Sequence, residues 1–65
     1  MSSTELAAAT RFYTKLLDKM IENDARMDQM PVGSKRFREL ERKNQVLYRM
    51  SMRIEQRVAD TRAAA

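Results

Sequence analysis

The chain's only proline and only glycine stand two residues apart, in Met30-Pro31-Val32-Gly33-Ser34, close to the middle of its 65 residues. Proline pushes the residue before it out of the helical region, and glycine can take the positive φ that a reversal needs. On both sides the residues are mostly Ala, Leu, Met, Glu, Lys, Arg and Gln, all good helix formers. One break flanked by two such stretches predicts two helices joined by one turn. Ser34 is placed to cap the second helix by accepting a backbone N–H bond. At the other end, Ser2-Ser3-Thr4-Glu5 fits the S-x-x-E capping box, in which Ser2 caps and Glu5 folds back onto the cap's backbone N–H. The expected elements are helix 1 over about 3–29, a turn at 30–34 and helix 2 over about 35–62. At ~1.5 Å per residue each helix is roughly 40 Å long.

The apolar spacing agrees. With Leu6 at heptad position a, helix 1 places Leu6, Tyr13, Met20 and Met27 at a, and Ala9, Leu16, Asn23 and Met30 at d. With Phe37 at a, helix 2 places Phe37, Asn44, Ser51 and Val58 at a, and Leu40, Leu47, Ile54 and Thr61 at d. This 3-4 spacing is the seam pattern of a coiled coil. Folding back at Val32-Gly33 pairs residues whose numbers add to 67, giving the layers Met30/Phe37, Met27/Leu40, Asn23/Asn44, Met20/Leu47, Leu16/Ser51, Tyr13/Ile54, Ala9/Val58 and Leu6/Thr61. The one Asn of the helix 1 seam thereby meets the Asn of the helix 2 seam. Two amides in one layer satisfy each other, and such a layer fixes register. The competing reading is that both Asn side chains reach solvent at a narrow seam. Residues 1–65 are thus expected to form a single all-α antiparallel hairpin, coiled-coil-like, completed to a bundle by self-association or by a partner.

Composition excludes several function classes. With no Cys, no disulfide or thiolate metal site can supplement a small core. With no His either, zinc sites and the common nucleophile–base pairs are absent. Acidic neighbours such as Glu39/Glu41 and Glu22/Asp24 are two apart and diverge on a helix. No enzyme is expected, and no cofactor, metal or catalytic residue. The uncharged run Leu6-Ala7-Ala8-Ala9-Thr10 is too short for a signal-peptide core, and no run approaches the ~18 apolar residues of a membrane span. No membrane insertion is expected, and the location expected is cytoplasmic.

The seam leaves a surplus. Phe12, Leu17, Ile21, Val46, Tyr48, Met50 and Met52 lie outside it. Two packed helices cover one stripe each, and bare side chains of this size would form a patch beyond what a soluble monomer tolerates. These seven are the expected partner interface, covered by a second copy or by another protein. Of the six Met residues one is the initiator; Met20, Met27, Met30, Met50 and Met52 suit surfaces that adapt to a partner, although Met20 and Met27 sit in the seam and read more simply as core filling.

Charge divides between the halves. Residues 1–30 carry four basic and five acidic groups, residues 31–65 nine basic and four acidic, within a net charge of +4. Arg38, Arg42, Arg49, Arg53 and Arg57 recur at spacings of four and seven, as a stripe along helix 2. Such a stripe could track phosphates. The simpler expectation is a solvated face, balanced in part by Asp18, Asp24 and Asp28 on the antiparallel helix. Tyr48 is the only aromatic among these arginines, which argues against base stacking.

A further pattern is the opening of helix 2, Gly33-x-x-x-Phe37-x-x-Leu40, followed by Val46-Leu47-Tyr48-Arg49-Met50 and Ile54. It resembles the small needle-protein co-chaperones of bacterial type III secretion. That family consists of two-helix hairpins of about this length that join a second chaperone to keep the needle subunit from polymerising. The resemblance implies that Phe37, Leu40, Leu47 and Ile54 pack within the hairpin and that the outer apolar residues face the partner. The shape is also similar to the Rop-type hairpin, which dimerises and binds paired RNA loops. The function expected is a protein–protein interaction module working by helix-to-helix docking, as a chaperone, adaptor or assembly factor. The alternatives are a basic hairpin dimer that binds RNA or DNA, and a structural subunit of a phage or secretion assembly.

Overall fold

A computed structural model describes residues 2–64 and shows two helices, α1 (Ser3–Met27) and α2 (Lys35–Ala64), packed against each other. The chain is an all-α hairpin. Met1 and Ala65, the ends of the expected domain, lie outside the described residues.

Local chemistry sets the ends of the helices. Ser2 is the N-cap of α1 and its Oγ accepts the Glu5 backbone N–H at 3.1 Å. The returning half of the capping box differs from expectation: Glu5 Oε1 accepts the Ser2 hydroxyl, at 3.2 Å, instead of the cap's backbone N–H. At its far end α1 stops at Met27, two residues earlier than the spacing predicts. There the chain tightens into i→i+3 bonds, Gln29 N to Arg26 O at 3.1 Å and Met30 N to Met27 O at 3.0 Å, as it approaches Pro31. Gly33 takes φ 81°, a conformation that L side chains avoid. Ser34 then caps α2, its Oγ accepting the Phe37 N–H at 3.3 Å. α2 runs two residues past the expected end because Ala63 and Ala64 are strong helix formers.

The register follows the layers whose residue numbers add to 67. Asn23 Nδ2 donates to Asn44 Oδ1 at 2.8 Å, so the two seam amides do share a layer. Asn44 Nδ2 in turn donates to Asp24 Oδ1 at 2.8 Å and to the Met20 carbonyl at 3.3 Å. Asn23 is 1% exposed, and no buried side-chain polar atom among the described residues lacks a partner. The solvent-facing reading of this pair is excluded. Two layers nearer the open end, Leu16 meets Ser51, and both are buried. Ser51 satisfies its own hydroxyl by donating to the Tyr48 carbonyl at 2.7 Å, and so presents a small, internally bonded surface to Leu16. Leu40, level with Met27 in the same register, is buried as well. In the terminal layer Leu6 is 40% exposed while Thr61 is partly buried, because no further layer lies beyond them to cover the last turn.

The resulting body is a rod of 48 × 16 × 12 Å with a radius of gyration of 14.9 Å. A compact chain of this length would have a radius of gyration near 11 Å. Among the described residues only Leu16 and Leu40 are buried apolar side chains, beside buried Asn23 and Ser51.

Candidate interaction surface

The seven residues outside the seam divide by exposure. Phe12, Ile21, Val46, Tyr48 and Met52 are exposed, with Ile21 the most open of them at 66%. Leu17 and Met50, at heptad positions e and g beside the seam, are half-buried, whereas the larger Tyr48 and Phe12 at the same two positions stay exposed. Val32, at the turn, which the spacing did not single out, and Leu6, at the open end, which it placed in the seam, are further exposed apolar residues.

The seam also sorts these residues onto two flanks. In an antiparallel pair the e and b positions of both helices share one side of the seam, and the g and c positions share the other. Leu17, Ile21, Tyr48 and Met52 fall on the first flank, and Phe12, Val46 and Met50 on the second. Grooves along the rod match this division. One is lined by Met20, Asp24, Glu41, Gln45 and Tyr48, and another by Tyr13, Glu55, Ala59 and Arg62, both on the first flank. A third, lined by Lys19, Lys43, Val46 and Leu47, runs along the second.

Charge follows the flanks more closely than it follows the helices. The first flank carries Asp24, Asp28, Glu41 and Glu55 against Arg38 and Arg62, and is net acidic. On the second, Lys15, Lys19 and Arg26 of α1 join Arg36, Lys43, Arg53 and Arg57 of α2. Glu5, Glu22, Glu39 and Asp60 offset them only in part, so this flank is net basic. Both apolar clusters therefore sit between charges of a single prevailing sign.

The arginine stripe is not one straight face. A row built on steps of four drifts around a helix whose seam repeats every 3.5 residues. Arg38 begins on the acidic flank, Arg42 and Arg49 lie on the outer back of α2, and Arg53 and Arg57 end on the basic flank. Nor do the α1 carboxylates balance it. The ion pairs among the described residues, Lys19–Glu22 at 3.4 Å and Arg26–Glu22 at 3.3 Å, both lie within α1. Asp24 is occupied by Asn44, and all five arginines are unpaired among the described residues.

Near the open end the Tyr13 hydroxyl donates to the Glu55 carboxylate across the seam. This hydrogen bond, aided by slight burial and by the carboxylate's charge, raises the Tyr13 phenol above its ordinary value of 10.0. Folding therefore favours the neutral phenol. The stabilisation is complete below pH 10 and is lost as pH rises through the raised value. Ultraviolet titration of Glu55→Gln should return the Tyr13 transition toward 10.0; a Tyr13 titration that the substitution leaves unmoved would show that the hydrogen bond is not its cause.

Among the described residues no group of three or more His, Cys, Asp or Glu could hold a metal ion, and no helix is long and apolar enough to cross a membrane. No family model, curated protein or solved structure matches the chain. The likeness to the needle co-chaperones thus rests on Gly33, Phe37, Leu40, Leu47 and Ile54 alone.

Proposed function

We propose that this hairpin is a protein–protein interaction module that acts by helix-to-helix docking, as a small cytoplasmic chaperone, adaptor or assembly factor without enzymatic activity. One observation carries the reading. Among the described residues two large apolar side chains are buried, while Phe12, Ile21, Val46, Tyr48 and Met52 are exposed. A core that thin leaves the hairpin alone only marginally stable, and docking would supply further burial. The likeness to the type III secretion co-chaperones points the same way, since those hairpins work joined to a second chaperone. Replacing Ile21 by Asp tests it. The residue is exposed in the hairpin, so the change should abolish assembly while the chain keeps helical circular dichroism at reduced stability. Assembly that survives at wild-type mass would show that this flank is ordinary surface.

A second reading, an RNA- or DNA-binding hairpin dimer, gains one observation: the arginines of α2 lack ion-pair partners among the described residues. The placement of Arg38, Arg42, Arg49, Arg53 and Arg57 around three sides of α2 weighs against a single phosphate track. Duplex and hairpin RNA are accordingly expected to bind weakly near physiological salt. A sub-micromolar affinity that falls steeply with salt, and that is lost when Arg42, Arg49 and Arg53 become Gln, would reverse the ranking.

A further inference from the structure

We infer that the docking partner is a second copy of this chain, and that the acidic flank of one hairpin packs on the basic flank of the next with both hairpins pointing the same way. This deepens the docking reading above and rests on it. The two apolar clusters lie at the same height along the rod. On α2, Tyr48 and Met52 of the first flank lie within two residues of Val46 and Met50 of the second, and Leu17 and Ile21 of α1 are level with Met50 and Val46, so both clusters lie near the Leu16/Ser51 layer, with Phe12 further out at the height of Glu55.

The charges match at the same heights. Toward the turn the acidic flank offers Asp28 and Glu41, while the basic flank offers Lys43 and Arg36, none of them with an intramolecular side-chain partner among the described residues. Toward the open end Glu55 is level with the gap between Arg53 and Arg57. Even the minority charges correspond, with Arg38 level with Glu39 and Arg62 close to Asp60.

Other pairings fit worse. Two acidic flanks facing each other with both hairpins pointing the same way set α1 of one copy over α2 of the other, which brings Asp24 close in height to Glu41 between two flanks of the same net sign. Two basic flanks repel throughout. Reversing one hairpin in the acidic-to-basic pairing lays α1 over α2 of the next copy and sets Asp28 against Asp60. Like-charge contacts of this kind exclude wrong partners and wrong orientations.

A contact between two different surfaces is heterologous, so each added hairpin exposes a fresh flank of each sign. The assembly therefore grows as a row or closes as a ring, and it weakens as salt screens the charges.

Two variants with an intact seam test this. Ile21→Lys with Met52→Lys blocks the acidic flank; Lys43→Glu with Val46→Glu blocks the basic one. In sedimentation at low salt, wild type should show a mass that rises with concentration and falls with added salt. Each variant alone should sediment as a 7.6-kDa chain with helical circular dichroism. An equimolar mixture should give a species of twice that mass and nothing larger, because one good flank of each sign is left, and its formation shows that both variants fold. A basic-flank variant that keeps wild-type size, with no new species on mixing, would overturn the inference in favour of a symmetric contact. A wild type that stays monomeric but unfolds without cooperativity would overturn self-assembly and leave the docking reading standing. A monomer that unfolds cooperatively would overturn both.

Discussion

Leu16→Asp is expected to unfold the hairpin outright. Leu16 is one of two buried apolar side chains among the described residues, and it packs on Ser51, whose hydroxyl is already committed to the Tyr48 carbonyl. Removing the leucine side chain alone, as in Leu16→Ala, should cost about 2–5 kcal/mol. Aspartate adds a charge between the helices with no cation in the seam to meet it, a penalty of several kcal/mol more. Against a total stability of about 5–15 kcal/mol for a small domain, and the lower end for one with so thin a core, that is more than the fold can absorb. Leu47→Asp should act in the same way from α2. Circular dichroism should show loss of helix for both, in contrast to Ile21→Asp. A helical, cooperatively melting Leu16→Asp would mean that the seam is not where the stability lies.

The second large effect is coupling in the asparagine layer. Asn23→Leu leaves Asn44 without the donor that its Oδ1 accepts, and Asn44→Leu leaves a 1%-exposed Asn23 amide with nothing to bond. Each single change should destabilise by about 1–3 kcal/mol for the orphaned polar group. The double change removes both amides and should be near neutral or stabilising, at the expense of a unique register. It also frees Asp24, whose Oδ1 accepts from Asn44, so the Asn44 single change should be the more damaging of the two. Denaturant unfolding of all four proteins gives the cycle, and additive single effects would place the two side chains in separate environments.

The fold was largely legible in the sequence because its signals are local and agree. Pro31 and Gly33 mark the only break, Ser2 and Ser34 are caps, and folding back at Val32-Gly33 gives a register in which Asn23 meets Asn44, as their hydrogen bond shows. The helix ends moved by two residues, where the tightening before Pro31 and the alanines after Arg62 outweighed the heptad pattern. The surface was harder to read. Summing charge by helix hid the fact that the seam divides each helix lengthwise, so the acids of α2 join those of α1 on one flank. Treating the arginines as a row on a straight helix missed their drift across three sides. Asp24 and Glu55 look like free surface charges in the sequence, yet both accept seam hydrogen bonds, because Asn44 and Tyr13 reach outward from positions that spacing marks only as core.

The central claim is that the exposed apolar residues are covered in the working protein and that the hairpin depends on that cover. Thermal unfolding followed by circular dichroism over a hundredfold range of protein concentration, with light scattering on the same nuclease-treated samples, tests it most directly. A mass above 7.6 kDa together with a Tm that climbs with concentration is the predicted result, since association adds stability by mass action. A 7.6-kDa particle that melts cooperatively at one Tm across the whole range would contradict the account.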